Sequence, residues 1–592
     1  MSQLTGAENV IWDLSIFYKS IDDPAIATDL EAVRLRAEKF AETYRGKVAT
    51  LSATELAAAL AELEQIYEQS GKISSFASLN WQTDTINPQF GAMLQKVREA
   101  GAQLEQILLF FTLEWTMVSD EHARIADDPA LAKYAHYLKS QLRYRPHLLS
   151  EPEEKILSEK EVTGKDAWSR FFGEVVNAIE FEWEGQKVPQ SIVLRGLYLP
   201  EREKRQAAAD SVTAGLRPNL RILTYVFNTL LAEKASDDRL RKYPTWITSR
   251  NLSNETTDEA VQALVDAVTN RYDIVARYYH VKKQLLGVDT LYDYDRYAPL
   301  PGAESRYSWD EARQIVITAF NAFSPRMAEV ADEFFTKNWI HAPVKQGKRG
   351  GAFASPTVPS AHPFVFVNYT GTGRDVMTLA HELGHGIHMY LSRQHGIFGA
   401  YTPLTTAEMA SVFGEMLVFN DLMAKESDPS VRLAMLASKI EDTFATVFRQ
   451  VSMNRFENAV HTARREQGEL STETISALWM DTQRTMFGNS VTLRDDYGIW
   501  WSYIPHFINT PGYVYAYAFG ELLVLALFNK YKREGESFVP RYIDVLSSGG
   551  SDKPENILAK AGVDLTDPTF WQEGLSIIDD MVSDLQGLIV TA

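Results

Sequence analysis

Apolar positions recur at intervals of three and four along most of this chain, the period of a helix that lays one face on a core. Residues 23–44, DPAIATDLEAVRLRAEKFAETY, show the pattern behind a proline start signal. The run LSATELAAALAELEQIYEQSGK follows, with Ser52 as its cap and an expected end near Gly71. PQFGAMLQKVREAGAQLEQILLFFTLEW is a longer amphipathic run, and SEPEEKILSEKEVTGKDAWSRFFGEVVNAI reads as two helices around Gly164. The period then shortens to two around a Glu-Gly pair, which predicts a hairpin near 179–193. Helical spacing returns from residue 200 and continues with further helices at about 256–286 and 308–338. From 339 to 373 glycine, serine and proline punctuate one β-rich run, Phe364 to Tyr369, so a small sheet is expected there. Helices resume at Asp375 and run to the C-terminus, broken at YIPHFINTPGYVYAY.

The resulting expectation is a mainly α protein of two or more domains, because 592 residues exceed one ordinary core. A hydrophobic content of 45% and a charged content of 23% are those of a globular protein. The net charge of −19 argues against nucleic-acid binding, which needs a basic face. No apolar run reaches the roughly 20 residues of a membrane span. The N-terminus lacks a basic segment followed by an apolar one, so no leader and a cytoplasmic location are expected. There is no cysteine. A metal would therefore sit on histidine and carboxylate.

The helical segment from Asp375 to about Arg393 contains MTLAHELGHGIHMYL, with His381 and His385 four residues apart. Residues at that spacing share one helix face and can reach one ion from adjacent turns. Glu382 points aside, where it could hold the attacking water, the arrangement of two zinc ligands and a general base found in metallopeptidases. No histidine follows at the next expected ligand spacing, since position 391 is Leu391. Downstream, TPLTTAEMASVFGEMLVFNDL carries Thr405 and Glu408 at capping-box spacing, which predicts a helix starting there. Glu415 lies seven residues beyond Glu408 and shares its face. One carboxylate would be the third ligand and the other would orient a histidine. His388 is read as buried or supporting, because a fourth protein ligand would close a site that catalysis needs open. The run PFVFVNY is read either as a core strand or as an edge for an extended peptide, and His362 just before it as a lesser candidate for substrate contact.

Four ordered blocks carry a resemblance: GGAFASPTVPSAHPFVFVNYTGTGRDVMT, LAHELGHGIH, TTAEMASVFGE and IPHFINTPGYVYAYAFGE. Together they resemble the oligoendopeptidase F branch of the thimet-oligopeptidase-like zinc peptidases. The resemblance implies one zinc ion per chain on His381, His385 and Glu408, with Glu382 as catalytic base. It implies that His506 and Tyr513 contact substrate and stabilise the tetrahedral intermediate, and it adds Tyr517 to the catalytic set. It further implies a two-lobed helical fold with the small sheet beside the active-site helix and a deep channel that admits short peptides but not folded proteins. The expected layout is a helical N-terminal domain over 1–195 and a catalytic domain over 196–592. The competing readings are a zinc carboxypeptidase on a similar scaffold and a helical protein that binds peptides without cutting them.

Overall fold

The computed structural model describes residues 5–300 and 306–591. Its contacts divide into two compact units, each assembled from three segments of chain. The first takes Met1–Arg145, Glu304–Lys425 and Lys530–Asp564; the second takes Pro146–Ala303, Glu426–Asn529 and Leu565–Ala592. Division by contacts thus follows a different course from a single cut at 195/196.

Both units are mostly helical. In the first, the helices Pro24–Tyr44, Ala53–Thr83 and Pro88–Thr116 close over a core that includes Phe40, Leu60, Phe76, Phe111 and Trp115. Ser52 caps the second of these with a full capping box, as its sequence predicts. The helix does not stop at Gly71 but runs on to Thr83. A Cβ at Gly71 would come within 2.5 Å of Val358, so this glycine serves a close approach and not a stop.

The expected small sheet has three strands in the order Ile340–His341, Phe364–Phe366, Phe353–Ser355. Phe364–Phe366 is the central strand, parallel to one neighbour and antiparallel to the other. Both of its edges are therefore occupied, and the edge reading of PFVFVNY is corrected to the core one. Phe364, Val365 and Phe366 are fully buried. His362 stacks flat on Trp339 at 3.9 Å, and burial pushes its imidazole down to about 4, so it serves as a neutral packing group. Lys348 ties the sheet by donating to the carbonyls of His341, Pro343 and Val367.

In the second unit, helices Arg202–Leu216, Leu220–Leu240, Phe448–Gln467 and Thr472–Phe487 surround a core rich in aromatics, among them Phe227, Phe456, Trp479, Trp501 and Phe507. The hairpin is present as Phe181–Trp183 and Gln186–Val188. Its turn residues Glu184 and Gly185 both have positive φ, 49° and 77°, the turn that suits the twist of paired strands. The run expected at 256–286 is two helices, Asp258–Thr269 and Tyr272–Leu285, and that at 308–338 is likewise two, Trp309–Phe323 and Pro325–Thr336. Ser324–Pro325 splits the latter pair, since proline cannot continue the hydrogen-bond ladder. Among the described residues, no helix is long and apolar enough to cross a membrane.

Candidate metal site

The histidine helix runs from Gly373 to Ser392. Thr372 caps it, and Asp375 returns the bond to the Thr372 N–H, so the start is fixed by a reciprocal capping box. Leu379, Ala380, Leu383 and Ile387 are fully buried, which turns His381 and His385 to the opposite, partly open face.

This helix packs tightly on Met409–Lys425. Glycine makes the closeness possible from both sides. A Cβ at Gly384 would collide with the Ala410 carbonyl and lie 2.6 Å from the Cα of Ser411. A Cβ at Gly414 would lie 3.3 Å from the Ala380 carbonyl and 3.0 Å from the Phe320 ring.

Glu408 stands at the junction between a short helical turn, Leu404–Ala407, and the longer helix. The expected cap at Thr405 is corrected by two positions: the cap is Pro403, the turn begins at Leu404, and the Thr406 N–H bonds back to the Pro403 carbonyl. Glu408 is thus not an interior helix residue. Ser411 steadies it, its hydroxyl donating to Glu408 Oε2 at 2.7 Å.

Glu408 Oε2 lies 3.4 Å from His381 Nε2 and 3.4 Å from His385 Nε2. Among the described residues, His381, His385 and Glu408 form a group whose donor atoms all lie within 4.8 Å of one another. Zinc bonds of about 2.0–2.1 Å in a tetrahedron require donors about 3.3 Å apart. The two spacings from Glu408 to the histidines meet that requirement, and two imidazoles with a carboxylate leave a fourth position open. Glu415 Oε2 lies 3.3 Å from His381 Nδ1. A proton on Nδ1 donated to Glu415 leaves the Nε2 lone pair facing the group.

The electrostatics fit a cation. Burial alone would push the His381 imidazole down, but Glu415, Glu408 and Glu382 outweigh it and raise it to about 9. Burial would raise Glu408, but His385, His381 and Ser411 hold it at about 2. His388 is enclosed, with its imidazole pushed down to about 4 mainly by burial and by His385, and with the Ala407 backbone beside Glu408 acting against that shift. Its place is therefore behind the His-His-Glu group, beside the turn that presents Glu408.

Glu382 is 7% exposed and meets the Ala354 N–H of the edge strand. Burial raises its carboxyl above the ordinary range, with the two histidines and the Ala354 bond opposing. The bonds of Val365 and Val367 run to the Ile340–His341 side, so Ala354 turns its own N–H and carbonyl outward from the sheet. That edge was not expected, because the four residues between Gly351 and Pro356 are too few to show alternation.

In the second unit, His506, Tyr513 and Tyr517 form a second cluster. His506 Nε2 lies 3.3 Å from the Tyr517 hydroxyl, and the two tyrosine rings meet edge to face at 5.0 Å. After the break, the helix resumes at Tyr515. Tyr515 is fully buried with its hydroxyl on Asn254 Nδ2, so it faces away from the other two. Burial, with Arg449 nearby, pushes the His506 imidazole down, which keeps it neutral.

Two family models match the chain: peptidase family M3 over residues 196–577 and oligopeptidase F over 119–181. Oligopeptidase PepF of Bacillus subtilis is 28% identical, covering 98% of this chain and 87% of its own length. Group B oligopeptidase PepB of Streptococcus agalactiae is 25% identical, covering 98% of this chain and 97% of its own. A solved chain from Chlamydophila abortus superposes with a TM-score of 0.89 at 25% identity, covering 98% of both chains. The oligoendopeptidase F structure from Enterococcus faecium shares the fold, with a TM-score of 0.72 at 24% identity over 96% of this chain and 99% of its own. With one model spanning more than half of its length, the chain belongs to peptidase family M3, in the oligopeptidase F branch, and is a metalloendopeptidase.

Proposed function

We propose that this enzyme cuts internal bonds of short peptides, using one zinc ion held by His381, His385 and Glu408. The observation that carries the reading is the donor spacing of 3.4 Å with Glu382 buried alongside. When bound, zinc polarises the scissile carbonyl and makes water a better nucleophile. Glu382 takes the proton from the attacking water and hands it to the leaving amide nitrogen. Its raised affinity for a proton suits both transfers, since a base far too acidic could not hold the proton in between. Glu415 keeps His381 in the tautomer that offers Nε2 to the ion.

With the Ala354 N–H turned to Glu382, the outward Ala354 carbonyl is left to accept from the backbone of an extended peptide lying along this edge. Such pairing reads little sequence, and a folded protein cannot offer a free strand to it. The edge thus supports a preference for short, flexible peptides. The resemblance assigns His506, Tyr513 and Tyr517 to the bound peptide, with Tyr513 donating to the carbonyl oxygen as charge builds there. The cysteine-free composition fits work in the reducing cytoplasm.

The test is digestion of a decapeptide acetylated at its N-terminus and amidated at its C-terminus. Internal cuts are expected, with loss of activity on chelation, recovery on adding zinc, and a native folded protein left intact. Release of terminal residues from an unblocked peptide, with the blocked one untouched, would instead favour the carboxypeptidase reading.

Zinc affinity should also depend on pH in a defined sense. The metal-free His381 is raised to about 9, so at neutral pH it holds a proton that zinc must displace. Affinity should therefore rise by about tenfold per pH unit below that value from this group, and level off above it. Competition with a chromogenic chelator between roughly pH 6.5 and 9.5 measures this. A flat profile would show that His381 is already neutral in the metal-free enzyme.

A further inference from the structure

Tyr513 closes a tight turn made by Thr510, Pro511 and Gly512. Its N–H bonds to the Thr510 carbonyl at 3.2 Å, and Gly512 has φ of +74°. Proline at the second position and a positive-φ glycine at the third make this a type II turn. The peptide between those two residues can rotate to give a type I turn, which would re-aim the chain at Tyr513. In this protein the rotation is opposed by one bond. The Gly512 N–H donates to Glu457 Oε1 at 2.8 Å.

Glu457 is 1% exposed, on the helix Phe448–Gln467, and its other oxygen is buried with no hydrogen-bond partner. Burial pushes the carboxyl up to about 8, against the pull of the Gly512 bond and of Arg250. A buried acid with an unmatched oxygen costs stability, a cost offset here by the bond it accepts from the buried Gly512 N–H. What the acid supplies is an acceptor at this turn. The flanks of the turn are already fixed: Phe507 and Ile508 lie in the core, and Tyr515 is held by Asn254. The central peptide is the remaining soft point, and Glu457 holds it.

We propose that Glu457 is a positioning residue, which fixes the Tyr513 hydroxyl by holding the Gly512 peptide; this rests on the role given to Tyr513 above. The hydrogen bond that Glu457 makes goes to Gly512 and not to Tyr513 or His506, so the proposed effect on the hydroxyl runs through that peptide.

Three variants measured on the blocked decapeptide test this. Glu457→Met keeps the volume and removes the acceptor. A misplacement of about 1 Å can cost on the order of 100-fold in rate, so kcat should fall by about 10- to 100-fold with KM and zinc content little changed. Glu457→Gln retains an acceptor oxygen and should stay within about threefold of the parent enzyme. If Glu457→Met does not fold, Glu457→Asp must show the same loss, because it withdraws the carboxyl from Gly512 by one methylene. In a Tyr513→Phe background, where about 10²–10³ in kcat is already expected to be gone, Glu457→Met should cost nothing further. Losses that multiply in the double variant, or a Glu457→Met enzyme with normal kcat, overturn the proposal. Normal kcat in Tyr513→Phe alone overturns the reading beneath it instead.

Discussion

Glu382→Gln is expected to leave zinc bound and to lower kcat by about 10²–10⁴, the usual cost of a lost general base. The side chain keeps its shape, so the contact with the Ala354 N–H survives through the amide oxygen. Both histidines and Glu408 are untouched, and the donor spacing rests on helix packing that Glu382 does not control. The amide cannot accept a proton from water. KM should change little, because substrate binding through the edge strand is independent of that proton. The measurement pairs kcat with zinc content by atomic absorption on one preparation. Zinc at one per chain with near-normal turnover would mean that another group deprotonates the water. Loss of zinc would mean that Glu382 supports the ion and not the chemistry.

Glu408→Ala should remove activity by a different route, through the metal. A three-donor site becomes a two-donor site, and the carboxylate that neutralises much of the ion's charge is gone. The histidine pair alone should hold zinc weakly enough for dialysis to strip it. Ser411 loses an acceptor, a small structural change at the start of Met409–Lys425, so the melting temperature of the metal-free protein should move by only a few degrees, or about 1 kcal/mol. Full zinc occupancy after dialysis would take Glu408 off the ligand set. Glu415→Ala makes the useful contrast. It should weaken affinity by about 10- to 100-fold without abolishing binding, since it touches the ion only through His381.

Much of this site is legible in the sequence because its parts obey short-range rules. The four-residue step from His381 to His385 and the seven-residue step from Glu408 to Glu415 fix faces on helices whose caps and apolar stripes are visible in the chain. The capping boxes at Ser52 and Thr372 are local as well. Long-range contacts are not legible in this way. Gly71 looks like a stop, yet it is an approach point for Val358, almost 300 residues away. The run at Phe364 carries every mark of a strand, but its neighbours decide whether it is edge or centre. Glu457 sits among Met453, Phe456 and Val460 on a buried face, an acid at a core position. That is a signal in itself, but what the acid meets depends on a turn more than 50 residues further on. The short turn after Pro403 is capped two residues earlier than the Thr405 signal suggests, because Pro403, with its preset backbone angle, already leads the chain into it.

The glycine contacts at Gly384 and Gly414 bear on which ion the site accepts. Of the three proposed donors, two stand on one helix and the third at the head of the other, so their spacing depends in part on how closely these two backbones pack. Side chains can adjust by rotation, but helices in direct contact cannot draw closer. A calcium ion, with bonds of about 2.3–2.6 Å and six to eight oxygen donors, would need that contact to open and would still find two nitrogens. Magnesium meets the length but wants oxygen. With zinc held as proposed, the absence of two methyl groups contributes to the discrimination among cations, and a larger residue at Gly384 is expected to alter metal preference without altering any proposed ligand.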